Sequence, residues 1–172
     1  MVSHRTLLVS AIGSVITCAL PAINAQGLSA QDRMFLENAA KGGMHEVHMG
    51  RLGIERGQSE AVKGLCQRLI NDHNTAYKDL EALAKQKGVT LPGDDAKVVS
   101  PAPLATKSGT DFDREFARMI IEDHQKDIAA FEKEASSGSD PDLKNWASKA
   151  LPTLRAHLTE AQAIPKANSN LQ

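Results

Sequence analysis

Apolar residues recur at three- and four-residue steps along most of this chain, and the pattern is interrupted at Gly57, across Val89 to Gly109, and at Gly138. Such spacing places the apolar side chains on one stripe of a helix. It predicts four amphipathic helices over about 29–57, 59–87, 111–137 and 140–164, with starts and stops set by capping residues and helix breakers. Ser29 precedes the first, with Asp32 three residues later in capping-box register, and Asp140-Pro141 opens the fourth, which Pro165 is expected to end. The second helix carries Val62, Cys66, Leu69, His73, Ala76, Leu80 and Leu83 on one stripe; the third carries Phe112, Phe116, Ile120, His124, Ile128, Phe131 and Ala135. The fourth carries Leu143, Trp146, Ala150, Leu154, His157, Ala161 and Ile164.

Between helices two and three, Pro92, Gly93, Pro101, Pro103 and Gly109 fall in a stretch with no periodicity, which predicts a connector. At roughly 3.3 Å per extended residue it can travel the full length of a bundle. The expected fold is therefore all-α, a four-helix bundle with one long connector. Helix one holds Gly42, Gly43, Gly50 and Gly53, each worth about 1 kcal/mol less than alanine in a helix interior, so a close approach to a neighbouring backbone is expected there, with local weakness as the alternative. Pro152 predicts a kink shortly before His157.

Composition agrees with one helical domain: 172 residues, 41% apolar but only 3% aromatic, so the core is built from aliphatic side chains. A net charge of −1 with mixed signs leaves no basic stripe for nucleic acid. The amino terminus stands apart. His4-Arg5 precede an uncharged run from Leu7 to Leu20, then Pro21 and the small-residue exit Ile23-Asn24-Ala25. This is the layout of a signal peptide cleaved after Ala25, leaving residues 26–172 as the mature domain and a periplasmic location. The run is shorter than the roughly 20 residues a membrane span needs, so no span is expected, and any association with the envelope or outer membrane is expected to be peripheral. Lipidation at Cys18 is the competing route, but Val15-Ile16-Thr17 lacks the small residues that modification requires. Cleavage at Ala25 leaves Cys66 as the sole cysteine, a small buried residue without a disulfide partner.

The chemistry lies in a repeated block. Leu69-Ile70-Asn71-Asp72-His73 and Ile120-Ile121-Glu122-Asp123-His124 stand 51 residues apart, and each sets a histidine on an apolar stripe. With Glu46 and His157, each helix contributes one ionisable group near its midpoint, so the four share a level whichever way the helices run. Three imidazoles and a carboxylate make a first shell for one divalent ion such as zinc, copper or iron. Asp72 and Asp123 point about 100° away around their helices and could accept hydrogen bonds from a neighbouring helix's histidine. The alternative is a metal-free buried hydrogen-bond network that fixes register. His45 and His48 are expected to be exposed. No phosphate loop, nucleophile elbow, paired cysteines or serine triad is present, so the commoner hydrolase and nucleotide-dependent enzyme classes have no support.

Taken together, Asp32-x-x-Phe35, Gly42-Gly43-x-x-Glu46, the two Asp-His helices and Leu151-Pro152-x-Leu154-x-x-His157 resemble the domain-of-unknown-function 4142 family over roughly residues 28 to 162. The resemblance implies a ferritin-like helical bundle exported in bacteria, often labelled a predicted outer membrane protein, but no activity. Di-iron members of the ferritin-like class use Glu-x-x-His on two helices. Here Ile70, Ile121 and Leu154 stand three residues before His73, His124 and His157, so bridging carboxylates are missing. The sequence thus leads to an exported bundle, not an enzyme, with a mononuclear His/Glu site or none, and a role in envelope stress or binding. A redox or oxygen-handling metalloprotein and a metal-free interaction module are the alternatives.

Overall fold

The computed structural model describes residues 27–91 and 101–169, with side chains through Ile164. The expected leader, with Cys18 and Ala25, lies outside the described residues, as do Pro92 and Gly93. The described chain is all-helical: α1 (Ala30–Arg56), α2 (Glu60–Gln86), α3 (Ala102–Ala105), α4 (Gly109–Ser137) and α5 (Pro141–Ser169). The ends follow the capping chemistry. Ser29 Oγ accepts from the Asp32 amide, Ser59 Oγ from the Val62 amide, and Asp140 Oδ1 from the amides of Asp142 and Leu143. Gly88, at φ +69°, takes the left-handed conformation that closes α2, and the Val89 amide returns to the Ala84 carbonyl.

α1 packs on α2 and α4, and α5 packs on α4 and α2. Every one of these pairs is antiparallel. Gly43 faces His73 while Gly53 faces Cys66, and Phe35 meets Phe131 while Gly53 meets Phe116. Arg68 pairs with Glu160 and Lys87 with Asp142; His124 meets His157 while Phe131 meets Trp146. It follows that α2 and α4 run in the same direction, so the connector has to cross the whole bundle. Its two described ends agree: Val89 is buried with Leu36, Leu80 and Leu143, whereas Leu104 is buried at the opposite end with Met49, Leu52 and Phe112. There Arg56 donates to the carbonyls of Leu104 and Lys107 at 3.0 and 2.7 Å.

The glycines of α1 divide by function. A Cβ on Gly53 would stand 2.2 Å from Cys66 Sγ, and one on Gly50 would stand 3.0 Å from the Cys66 carbonyl oxygen, so α1 and α2 approach here as closely as only glycine permits. Gly42 and Gly43 have no such crowding.

Two expectations need correction. α5 does not stop at Pro165 but runs to Ser169. A proline removes one hydrogen bond and crowds the turn before it, yet its fixed φ of about −65° is helical, so without a following glycine it is no stop. The connector holds the short helix α3, too brief to show periodicity, with Pro101 at its N-cap, Pro103 in its first turn, and Leu104, which has no exposed surface, as its anchor.

Two buried aspartates tie the halves together. The carboxylate of Asp113, on α4, accepts from the amides of Gln58 and Ser59 at 2.9 Å each, closing the α1–α2 turn. Asp32, on α1, accepts from the Ser139 amide at 2.8 Å, closing the α4–α5 turn. Apolar clusters fill both ends of the bundle, and the histidine layer lies between them. No helix among the described residues is long and apolar enough to cross a membrane.

Candidate metal centre

His73, His124 and His157 project from α2, α4 and α5 into the interior, at 7%, 0% and 1% exposure, and one ligand atom from each lies within 4.8 Å of the others. Their contacts form a chain. His124 Nδ1 is 3.1 Å from the Ile120 carbonyl, His124 Nε2 is 3.2 Å from His157 Nδ1, and His157 Nε2 is 2.9 Å from Asp72 Oδ2. The chain ends in an acceptor on each side, so its three contacts need three protons, and two neutral imidazoles bring two. With Nδ1–H of His124 donated to Ile120 and Nε2–H of His157 donated to Asp72, the two nitrogens facing each other are both lone pairs. One further positive charge completes the arrangement, either a proton or a metal ion.

The distance suits both. Two nitrogens bound tetrahedrally at about 2.0–2.1 Å are about 3.3–3.4 Å apart, close to the 3.2 Å observed. His73 Nε2 supplies the third lone-pair donor, since it is buried without a hydrogen-bond partner. A spread of 4.8 Å is wider than the roughly 4.2 Å between opposed ligands at 2.1 Å, so a rotation of His73 is needed to close the site.

Burial and neighbouring imidazoles disfavour the charged forms of His73 and His124. Burial, then the neighbouring His124 and His157, pushes His73 down to about 3; burial and His157 push His124 down to about 4. Glu46 is 1% exposed, and its Oε1 is 3.7 Å from His124 Nδ1, the nitrogen directed away from His157. Neither carboxyl oxygen has a hydrogen-bond partner, and burial together with the charges of Asp127 and Asp123 holds the group well above the usual carboxylate range. The three histidines therefore form the cluster, with Glu46 behind His124 and outside it.

The remaining site candidates separate in space. Asp72, 46% exposed, is the partner of His157 across the α2–α5 interface, whereas Asp123 pairs with Lys126 at 3.2 Å. His45 is exposed, but His48, expected to be exposed, is 8% exposed and buried: at the tightly packed end of α1 the neighbouring helices cover more of its surface than a narrow stripe allows. Cys66 is fully buried among apolar residues, and burial, then Asp113 and Glu46, pushes its thiol up to about 12.

Asp127 is the residue that sequence reasoning missed. It lies one turn after His124, stands beside Gly42, and is pushed up to about 6 by burial and Asp123. A sequence clue existed: Asp32 and Asp113, Phe35 and Phe116, and Glu46 and Asp127 are each 81 residues apart. Next to this layer a cavity of about 290 Å³ is bordered by Gly42, Gly43, Asp127, His73 and His157.

Solved structures share this arrangement of helices. A DUF305 fragment from Deinococcus radiodurans matches with a TM-score of 0.68 at 19% identity, over 81% of this chain and 99% of that one. CopM in its Cu(I)-bound form gives 0.65 at 18% identity over 77% and 93%. A conserved hypothetical protein from Mycobacterium tuberculosis gives 0.64 at 18% over 79% and 98%. No curated protein matches the chain. Residues 18–164 match the family model described as a domain of unknown function, DUF4142, and the chain belongs to that family.

Proposed function

We propose that this protein is a metal-binding four-helix bundle of the ferritin-like class, holding one ion of the zinc, copper or iron type on His73, His124 and His157, with Asp72 fixing the tautomer of His157. The observation that carries the reading is the His124–His157 contact, one proton short between two acceptor-capped rings and flanked by the unpartnered His73 Nε2. Glu46 and Asp123 stand behind the histidines and tune the field at the site. Copper is the first ion to test, because CopM, alike in fold, has Cu(I)-bound, Cu(II)-bound and Ag-bound structures. The signal-peptide pattern supports an exported, periplasmic protein in which such a site sequesters or delivers metal in the envelope, a binding role and not a catalytic one.

The test is elemental analysis of untagged protein purified from the periplasm, followed by titration of metal-free protein with Cu(I), Cu(II) and Zn(II). One equivalent should bind in the wild type, with the loss of at least a hundredfold in affinity for His73→Ala and His124→Ala variants whose helicity is intact. Absence of stoichiometric binding of any of the three ions would sink the proposal. In that case the same chain, completed by a third proton, is a hydrogen-bond network that sets bundle register.

A further inference from the structure

The cavity borders two of the three imidazoles, His73 and His157, and neither His124 nor Glu46. It is therefore on one side of the histidine triangle, while Glu46 and the Ile120 carbonyl occupy the far side of His124. Three protein ligands leave a four-coordinate ion with a position to fill, and sites of that kind take water or an exogenous molecule there. Gly42 and Gly43 keep this side clear: a Cβ on Gly43 would already stand 3.7 Å from His73 Nδ1. The cavity reaches solvent past the exposed Thr75, Lys149 and Thr153.

Its lining specifies the visitor. Tyr77, Phe131 and Trp146 supply aromatic walls, and Asp72, Asp79 and Asp127 are set against the single cation Lys149. This excess of carboxylates offsets the charge of a bound divalent ion, so the loaded site favours neutral molecules over anions. At about 290 Å³ the space is at the small end of ligand pockets, which run from roughly 300 to 1,000 Å³, so it suits a single flat ring. We infer that the cavity is a binding site for a small neutral ring-nitrogen base of the imidazole class, which occupies the coordination position left open by the three histidines. This rests on the metal-centre reading, and His73 and His157, which belong to the histidine cluster and border the cavity, join the two.

The experiment uses the full mature protein loaded with one equivalent of Cu(II), with imidazole as the probe and azide as an anionic comparison. Electron paramagnetic resonance and visible absorption should change saturably with imidazole, with copper still bound to protein on gel filtration, and azide should bind at least tenfold more weakly. Ala150→Phe on α5, and independently Ala76→Phe on α2, should keep copper affinity and lose at least tenfold in imidazole affinity. An unchanged copper spectrum, equal affinity for azide, or unweakened imidazole binding in both filled variants would overturn the inference while leaving the metal centre standing. Failure to load copper, zinc or any other ion would overturn both.

Discussion

Asp72 offers the cleanest perturbation of the proposed centre, because it is at the surface but acts on a buried ring. Its Oδ2 is 2.9 Å from His157 Nε2; the carboxylate side chain is 46% exposed and the ring 2%. Removing a partner of this type from a metal-bound histidine costs about 10–100-fold in affinity, or about 1.4–2.7 kcal/mol. Solvent screening of a half-exposed carboxylate places Asp72→Ala near the lower bound, about tenfold. Asp72→Asn keeps an oxygen acceptor but loses the charge, and should cost about threefold, since charge assistance roughly doubles the strength of such a bond. Neither variant touches the apolar clusters, so metal-free stability should fall by no more than about 1 kcal/mol. Competition against a chromophoric chelator at fixed pH measures the affinities, and thermal melts of metal-free protein provide the control. An Asp72→Ala affinity within twofold of wild type, alongside a large loss in His73→Ala, would show that Asp72 does not set the donor nitrogen of His157.

Other predictions concern the frame around the site. Gly53→Ala should destabilise by about 1–3 kcal/mol by chemical denaturation, because its Cβ would collide with Cys66 Sγ, whereas Gly64→Ala, whose nearest neighbour would be 3.9 Å away, should stabilise by about 0.5–1 kcal/mol. Asp113→Ala strips two amides at the α1–α2 turn of their acceptor and should cost about 2–3 kcal/mol, with Asn recovering part of it. In metal-free protein His73 titrates near 3 against 6.5 when unfolded, so its contribution is complete above 6.5 and is lost as pH falls toward 3. Asp127, held near 6 against 3.8, and Glu46, also raised, act in the opposite sense, gaining stability as pH falls. The effect should be read as a difference: between pH 7 and pH 5 the wild type should lose about 2 kcal/mol relative to His73→Leu, and an unchanged difference would show that His73 is not held neutral by burial.

The helices were legible because their signals are local: Ser29, Ser59 and Asp140 cap where capping residues are expected, and Gly57, Gly88 and Gly138 follow the helices they end. His73, His124 and His157 were legible for the same reason, each completing an apolar stripe. What was hidden depends on contacts between elements. Whether Glu46 joins the histidines or stands behind one of them is decided by the rotation of α1 against α4, which spacing within α1 does not encode. Asp113 and Asp32 look like ordinary first-turn acids, and only docking reveals that each serves a distant turn. The direction of the connector likewise follows from which helix ends Val89 and Leu104 reach.

The reciprocal aspartate ties make this chain an internal dimer of two helical hairpins. Each hairpin lends a carboxylate to the other's turn: α1–α2 borrows Asp113, and α4–α5 borrows Asp32. The donor set is divided along the same seam, with Asp72 and His73 on one hairpin and His124 and His157 on the other. Assembly of the hairpins and creation of the site are thus a single event. A half-formed molecule offers at most the His124–His157 pair, and metal captured between the halves would act as a clasp on the finished fold.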